Sequence, residues 1–503
     1  MTDQEPMNFS SPEEMVRKGA ELLTSEDVAD MEKARRIFEY LLQNMGRNNA
    51  GLVFSMAVTF MREGRTGLAE VLYRAALTMD GDKDAFSAVH NNLGFILNTE
   101  GRYDEALEEF HAALAIDDTQ PEFYNNIATA YVNTGQSETC IEWADKALER
   151  DPESRDAKWN RGLALLELGR WAEGWKGYNA GLTQSFNSSQ QRKRRYEEEP
   201  IDLPYWDVGK GIGQNVVVYG EQGVGDEIMA SSVFPDAVTD MNIIYEAHPR
   251  LVSIMRHSFG DQFPIYGTRK TPWRTVAFHE WHKIEAKAPI FNLCQHYRQD
   301  DKDFPRVPYL KPFDNLVDKY KTSLAKLGSR PKIGVSWKGG STITRNDLRS
   351  IPVVLWEELF KSVDVDWVSL QYDPADKMGW NTLIAEEFEK NTGVDLNHDI
   401  EVVNDLDECY GGLIHALDLV ISVNTSLVHA CGAFGVPCWT LTPSRPAWRY
   451  QVPGANSLGD DKMIWYGDHI RQIRQDADNW DHVLQEVQDE LIDLYGRRSK
   501  VAA

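Results

Sequence analysis

The sequence predicts a helical-repeat solenoid followed by two α/β units, and three observations carry that expectation. Gly101, Gly135 and Gly169 stand 34 residues apart, with small and aromatic residues returning at the same offsets around each. From residue 214 onward, short apolar runs alternate with helix-length segments, the pattern of buried parallel strands and crossover helices. Twice such a run leads directly into a turn of glycines or hydroxyl residues that opens a helix. At 503 residues the chain has room for about three domains.

The repeats come first along the chain. One reads Leu93-Gly94, Gly101, Tyr103, Ala106, Phe110, Ala113, Leu114. The next reads Ile127-Ala128, Tyr131, Gly135, Cys140, Ala144, Ala147, Leu148 and ends at Pro152; a third reads Gly162, Leu165, Gly169, Trp171, Gly174, Tyr178. Upstream, Ala57, Phe60, Gly64, Ala69, Tyr73, Ala76 and Leu77 fit one more period offset by three residues, and Ala34, Phe38 and Leu41 mark a degenerate half repeat. Small residues at these positions let two antiparallel helices approach closely, and each glycine ends a first helix where positive φ is cheap. The pattern resembles the tetratricopeptide repeat (TPR), which implies a stack of helix pairs with a concave face. Asn92, Asn126 and Asn160 share the 34-residue interval. They are candidates for holding an extended peptide in a groove, since an amide both donates and accepts; asparagine simply favoured at this repeat position is the plainer alternative.

Residues 1–182 are therefore expected to form the repeat module. The linker, 183–213, sets Arg192-Lys193-Arg194-Arg195 against Glu197-Glu198-Glu199, a self-neutralising solvated stretch. The first α/β unit is expected over 214–318, with strands at Val216–Tyr219 and Asn242–Tyr245 and helices at Glu227–Val233 and Pro249–Ser258. The second, over 319–503, is expected to hold strands Lys332–Trp337, Trp367–Leu370, Asp418–Val423 and Cys438–Leu441. Its expected helices are 353–362, 380–390, 407–416, Ser426–Phe434 and a closing amphipathic helix near 478–496. In such doubly wound sheets ligands bind beyond the carboxyl ends of the strands, so two facing sheets predict a cleft between those ends.

Composition narrows the function classes. The chain carries 53 basic and 78 acidic residues, a formal charge of −25, which disfavours nucleic acid and anionic membranes as partners. Residues 1–180 contain 18 basic and 32 acidic residues (−14), so the repeat module is expected to prefer a basic partner. Five scattered cysteines without a CxxC suit reduced thiols in the cytoplasm. The N-terminal stretch lacks the charge and apolar run of a signal peptide, and no run approaches the ~20 apolar residues of a membrane span.

Three segments carry chemistry. In Gly220-Glu-Gln-Gly-Val-Gly-Asp226, Gly223 and Gly225 form a turn between strand and helix, a potential anion site. Asp226 suits either a first-turn charge on the helix dipole or a general base. Glu246 lies at the spacing of a ribose-binding acid, but the glycines do not follow GxGxxG, which disfavours a dinucleotide. In the second segment, Ser422 to Pro437, Asn424 fits a helix N-cap, and Thr425, Ser426 and Leu427 open a helix whose first turn would cradle phosphate, with His429 one turn on. The third holds Lys338 among glycines, then Arg345, Asp347 and Arg349. Together with Arg445 and Arg449, these bases run against the overall sign.

Together, EQGVGDEI, GVSWKGG…RNDLRSIP, VSLQ and DLVISVNTSLVHACGAFGVPCWTLTP…WRY resemble glycosyltransferases related to the bacterial heptosyltransferases (glycosyltransferase family nine) in a TPR-fused form. The resemblance spans about residues 12–470. It implies a GT-B arrangement, two Rossmann-like domains facing across a cleft, with a nucleotide-diphosphate sugar on the C-terminal domain and a hydroxyl acceptor on the N-terminal one. It implies metal-independent, inverting transfer with no cofactor beyond the donor. Asp226 matches the family's base, Lys338 falls near its phosphate-binding lysine, and Thr425, Ser426 and His429 match its diphosphate-binding turn. Asn424 departs from the usual aspartate and carries no charge. That departure keeps a second reading in view, a TPR scaffold or binding protein with a degenerate transferase domain. The stretches Asp301-Lys-Asp303, Asp364-Val-Asp366 and Asp405-Leu-Asp407 read as surface acids rather than metal ligands.

Overall fold

A computed structural model describes residues 9, 11–25, 27–45, 49–79, 86–183, 192–193, 197–198, 201–209, 211–268, 281–339, 348–372, 389–390, 396–397, 399–476 and 479–498. Arg345, Asp347, most of the expected helix 380–390 and most of the charged stretch 184–200 lie outside these residues. The chain divides into two compact units, residues 1–161 and 162–503.

The first unit is a stack of antiparallel helix pairs: α1 (Pro12–Leu22) with α2 (Val28–Met45), α3 (Ala50–Arg62) with α4 (Thr66–Leu77), α5 (Phe86–Thr99) with α6 (Tyr103–Ile116), and α7 (Pro121–Asn133) with α8 (Ser137–Arg150). The repeat glycines take the left-handed conformation after each first helix, at φ +75° for Gly64, +82° for Gly101 and +73° for Gly135. Inside each pair the recurring small residues are fully buried, among them Ala57, Ala69, Ala106, Ala113, Ala128 and Ala144. Gly94 shows why they must be small: a Cβ there would stand 2.6 Å from the Phe110 ring. The half repeat at Ala34 and Phe38 is a whole pair, because α1 places Gly19 against the Phe38 ring.

The division of the chain falls within α9 (Arg155–Glu167). In the second unit, Gly162 of that helix approaches α10 (Trp171–Tyr178) so closely that a Cβ would lie 2.5 Å from the Tyr178 nitrogen. Trp171 and Trp175 of α10 are buried among Phe291, Phe304, Trp448 and Trp465, with ring centroids 4.8–6.4 Å apart. Both indole N–H groups find acceptors: Trp175 donates to the Arg298 carbonyl (2.7 Å) and Trp171 to the Asp301 carboxylate (2.7 Å). The repeat-spaced helix α10 is thus built into the α/β body.

Among the described residues, two large, mainly parallel sheets frame that body, beside two two-stranded pairings. The first contains β1 (Asn215–Tyr219), β2 (Asn242–Glu246), β3 (Ile265–Tyr266) and β4 (Ala286–Pro289) in the order β3-β2-β1-β4. The second contains β5 (Lys332–Ser336), β6 (Asp366–Ser369), β7 (Leu419–Val423), β8 (Cys438–Thr442), the edge strand β9 (Lys462–Met463) and β10 (Gly467–Arg474), in the order β6-β5-β7-β8-β10-β9. Among the described residues only β9 pairs antiparallel in this sheet. Near-continuous apolar strands buried on both faces are what a helix-covered parallel sheet requires. From the interior strand β1 the chain enters α11 (Val224–Ala230), and from the interior strand β7 it enters α12 (Ser426–Phe434). The closing helix, α13 (Asp481–Tyr495), buries Val483, Leu484, Val487 and Leu491 with Trp356, Phe360 and Trp367.

Two expectations are corrected here, and one strand absent from the sequence reading is added. The expected helix 407–416 is a short turn, Leu406–Cys409, and a 3-10 turn, Leu413–Ala416, separated at Gly411 and Gly412. A Cβ at Gly412 would meet Leu316 at 2.7 Å, so the backbone there is packed against its neighbour. Asp366 is a buried acid, not a surface one, paired with Lys332 (2.9 Å) and Arg330 (2.6 Å). Strand β10, hidden in sequence by Asp468, His469, Arg471 and Arg474, is the long partner of β8. All five cysteines are buried free thiols, and among the described residues no helix is long and apolar enough to cross a membrane.

The aromatic cluster around α10 makes a direct prediction. Trp175→Ala deletes a fully buried indole and strands the Arg298 carbonyl, so it should cost about 3–5 kcal/mol. Urea denaturation followed by fluorescence measures this, and a loss below about 1 kcal/mol would contradict a structural role for the cluster.

Candidate functional site

The carboxyl ends of β1 and β7 deliver their helices to one place. Gly225 on α11 lies against α12, where a Cβ would meet Ser426 Cα at 2.9 Å and the His429 ring at 3.1 Å. Glycine is required at this contact, and it sets Asp226 beside the start of α12. Gly223 caps α11, and its N–H is returned to the Asp226 carboxylate at 3.3 Å. Asp226 forms an ion pair with Arg449, a residue 223 positions away. The neighbouring acid has a different fate: Glu227 is buried and accepts from the Tyr245 hydroxyl (2.7 Å) and the His248 N–H (2.6 Å).

Arg449 is held from both sides in sequence. Trp448 sits in the aromatic cluster, 5.4 Å from Tyr178 and 5.5 Å from Trp175. Gln451 is buried at φ +52°, an uncommon conformation for a residue with a side chain. Arg474 fixes that turn by donating to the carbonyls of Tyr450 (2.6 Å) and Gln451 (2.9 Å). Burial lowers the Arg474 guanidinium to about 10. Burial also pulls the Arg449 guanidinium down, but Asp226 and nearby tyrosines more than offset it and leave it raised. Strain maintained by several contacts is common at functional turns.

At the start of α12 the cap is Thr425, not Asn424. Thr425 Oγ1 accepts the Leu427 N–H at 3.3 Å and lies 3.2 Å from the Ser422 hydroxyl. Asn424 cannot cap because its Oδ1 is taken by the hydroxyls of Thr440 (2.8 Å) and Thr442 (3.3 Å) on β8. Arg349 donates to the Asn424 carbonyl at 2.8 Å, so this arginine joins the cluster. Its own charge is depressed by burial, with Arg449 adding to the effect while Tyr450 and Asp226 oppose it. Ser426 Oγ shares a hydrogen bond with the Tyr410 hydroxyl (2.8 Å). His429 is buried with Nδ1 3.1 Å from the Tyr466 hydroxyl, and burial, then Arg449 and Arg349, hold its basicity well below the usual 6.5.

The structure thus gathers Gly223, Gly225, Asp226, Asn424, Thr425, Ser426, Leu427 and His429, and adds Arg349, Arg449, Tyr410 and Tyr466. Lys338 is exposed on the loop after β5 and makes no side-chain hydrogen bond among the described residues; its N–H is held by Gln371 Oε1 at 2.9 Å. Gln371, from the VSLQ segment, also accepts from the Ser336 hydroxyl and the Trp337 N–H, so it fixes this loop. Glu246 ends β2 and accepts from the Thr268 hydroxyl at 3.0 Å.

The candidate peptide-binding asparagines are engaged within the repeats. Asn126 donates to Asn91 (2.8 Å), Asn160 to Asn125 (3.0 Å) and Thr129 (2.8 Å), and Asn92 to the Tyr73 hydroxyl (3.3 Å). Asn133 donates to Asn98 at 3.2 Å. The Asn92 bond reaches the second helix α4, while the others join successive first helices, and the doublets Asn91-Asn92 and Asn125-Asn126 were the signal in sequence.

Comparison with known proteins accords with the repeats. Tetratricopeptide repeat models match residues 54–121 and 97–166. Protein FlbA of Caulobacter vibrioides is 25% identical over 434 residues, covering 75% of this chain and 68% of that protein. That share exceeds the first unit, so the similarity reaches into the α/β unit. Photosystem I assembly protein Ycf3 of Prochlorococcus marinus is 28% identical over 117 residues, 23% of this chain and 66% of its own length. The chain therefore spans about two thirds of these curated relatives. The crystal structure of MamA aligns at 19% identity with a TM-score of 0.27, covering 31% of this chain and 93% of that one. Residues 54–166 are TPR repeats, a protein-interaction module.

Burial of His429 has a consequence for pH. The unfolded histidine takes up a proton near 6.5 while the folded one resists, so the unfolded state binds more protons as pH falls below that value. Stability of the α/β unit should drop between about pH 6.5 and 5, by up to about 1.4 kcal/mol per pH unit from this group. His429→Gln should make the dependence of the urea midpoint on pH shallower by about one proton; an identical slope would contradict the assignment.

Proposed function

We propose that the α/β unit is a GT-B sugar transferase, built as two Rossmann-like domains and using a nucleotide-diphosphate sugar as donor. The observation that carries this reading is the convergence of Asp226, Arg449 and Arg349 where α11 and α12 begin. On this reading Asp226 takes the proton from an acceptor hydroxyl as the oxygen bonds to the anomeric carbon of the donor. The bond from that carbon to the phosphate oxygen breaks, and its electron pair leaves on the nucleoside diphosphate. The two guanidiniums and the N–H groups opening α12 meet the charge of the leaving group. Attack opposite the leaving group inverts the sugar, and the proposed chemistry draws on protein groups rather than a metal. The basic residues suited to the diphosphate are Arg349 and Arg449, with exposed Lys338 a further contact once a donor is present. The TPR module, which holds most of the excess acid, recruits a basic protein or peptide, and a hydroxyl of that partner is the proposed acceptor.

One observation favours a second reading, a TPR scaffold with a degenerate transferase domain. Asn424 serves as a structural joint, bonded to Thr440 and Thr442 and carrying Arg349 on its carbonyl. A neutral residue performs that role without contributing to chemistry.

The two readings part in one assay. The full chain is incubated with sugar nucleotides carrying ADP, GDP, UDP or CDP, with water as the hydroxyl that takes the sugar in place of the partner, and diphosphate release is measured. The transferase reading expects release with at least one donor, falling by at least about a hundredfold in Asp226→Asn. Release unchanged by the substitution removes Asp226 as the base. No release, together with no calorimetric heat from any donor, favours the scaffold.

A further inference from the structure

The Asp226–Arg449 ion pair poses a problem for a base: its carboxylate is already committed to a guanidinium. We infer that Arg449 is an exchange site, where the diphosphate of a donor displaces Asp226 and thereby releases it to act on the acceptor. The inference rests on the transferase reading and adds to it an obligatory order, donor before acceptor.

Four features support the exchange. Arg449 is pinned, through Trp448 in the aromatic cluster and through the Gln451 turn held by Arg474, so its guanidinium stays at the site whichever anion it meets. Asp226 is a first-turn residue of α11 with a second partner in the Gly223 N–H, so it retains a hydrogen bond when Arg449 is taken. Diphosphate oxygens present the same paired acceptors to a guanidinium as a carboxylate does, with more charge. Finally, two buried N–H donors here, Arg449 Nε and Asn424 Nδ2, have no acceptor among the described residues, although Asn424 is only 3% exposed. Buried donors in native proteins ordinarily find acceptors, and a phosphate beside the opening of α12 supplies them.

The competition has a signature that a purely structural ion pair lacks. Removing the carboxylate removes the competitor, so a substitution in the proposed base should tighten binding of an anion. Inorganic pyrophosphate and the four common nucleoside diphosphates are titrated calorimetrically into the wild-type chain, Asp226→Asn, Arg449→Gln and the double variant, with thermal melts to verify folding. Asp226→Asn should bind pyrophosphate or a diphosphate at least about fivefold tighter than wild type, the low end of typical site-to-site coupling. Arg449→Gln should bind more weakly than wild type, and the gain from Asp226→Asn should vanish in its background. Equal or weaker binding by Asp226→Asn overturns the exchange, as does absence of binding by every protein; should Arg449→Gln fail to fold, the comparison of Asp226→Asn with wild type decides alone. If pyrophosphate follows the expected pattern but no nucleoside diphosphate or sugar nucleotide binds, the exchange stands and the transferase reading falls.

Discussion

The ion pair between Asp226 and Arg449 is the interaction on which the rest of the α/β unit converges. It joins the first turn of the helix leaving one sheet to the segment following β8 of the other. Neither partner is placed by local sequence alone. Asp226 reaches the pair because Gly225 allows α11 to pack directly on α12, and Arg449 reaches it because Trp448 and Arg474 fix the turn around it. The sheets act as rigid frames that bring these loops to their carboxyl ends, where open α/β sheets place their ligands.

A second constraint is the burial of charge around this pair. Arginine, aspartate and histidine are costly to remove from water unless partnered. Here the histidine stays neutral, and the aspartate offsets the burial of Arg449. On the proposed reading this arrangement is a resting state whose counter-ion is replaced by substrate. In the repeat unit, polar groups are used differently. Asparagine ladders and ion pairs such as Arg102 with Glu70 (2.9 Å) link successive repeats.

Much of the architecture was legible in the sequence because it depends on periodicity and local turn chemistry. The repeat glycines had to be left-handed, and Gly64, Gly101, Gly135 and Gly169 all are. Apolar runs such as Val216–Tyr219 and Leu419–Val423 had no other use than buried strands. The failures have physical causes. The apolar pattern over 407–416 runs on through Gly411 and Gly412, which are small because side chains of other elements press on them, so periodicity alone suggested one helix. Strand β10 alternates buried residues with charged ones and lacks an apolar run. Asn424 has the chemistry of a cap, but tertiary hydroxyls from β8 compete for its oxygen and leave the capping to Thr425. The pairing of Asp226 with Arg449 spans 223 residues, and no local pattern encodes it.

On the proposed reading, Arg449 exchanges Asp226 for the phosphates of a nucleotide donor. A crystal structure of the full chain soaked with a nucleoside diphosphate measures this most directly. Phosphate oxygens are expected on the Arg449 guanidinium at the opening of α12, with the Asp226 carboxylate released toward the space an acceptor would occupy. A diphosphate bound elsewhere, with the Asp226–Arg449 pair intact, would contradict it.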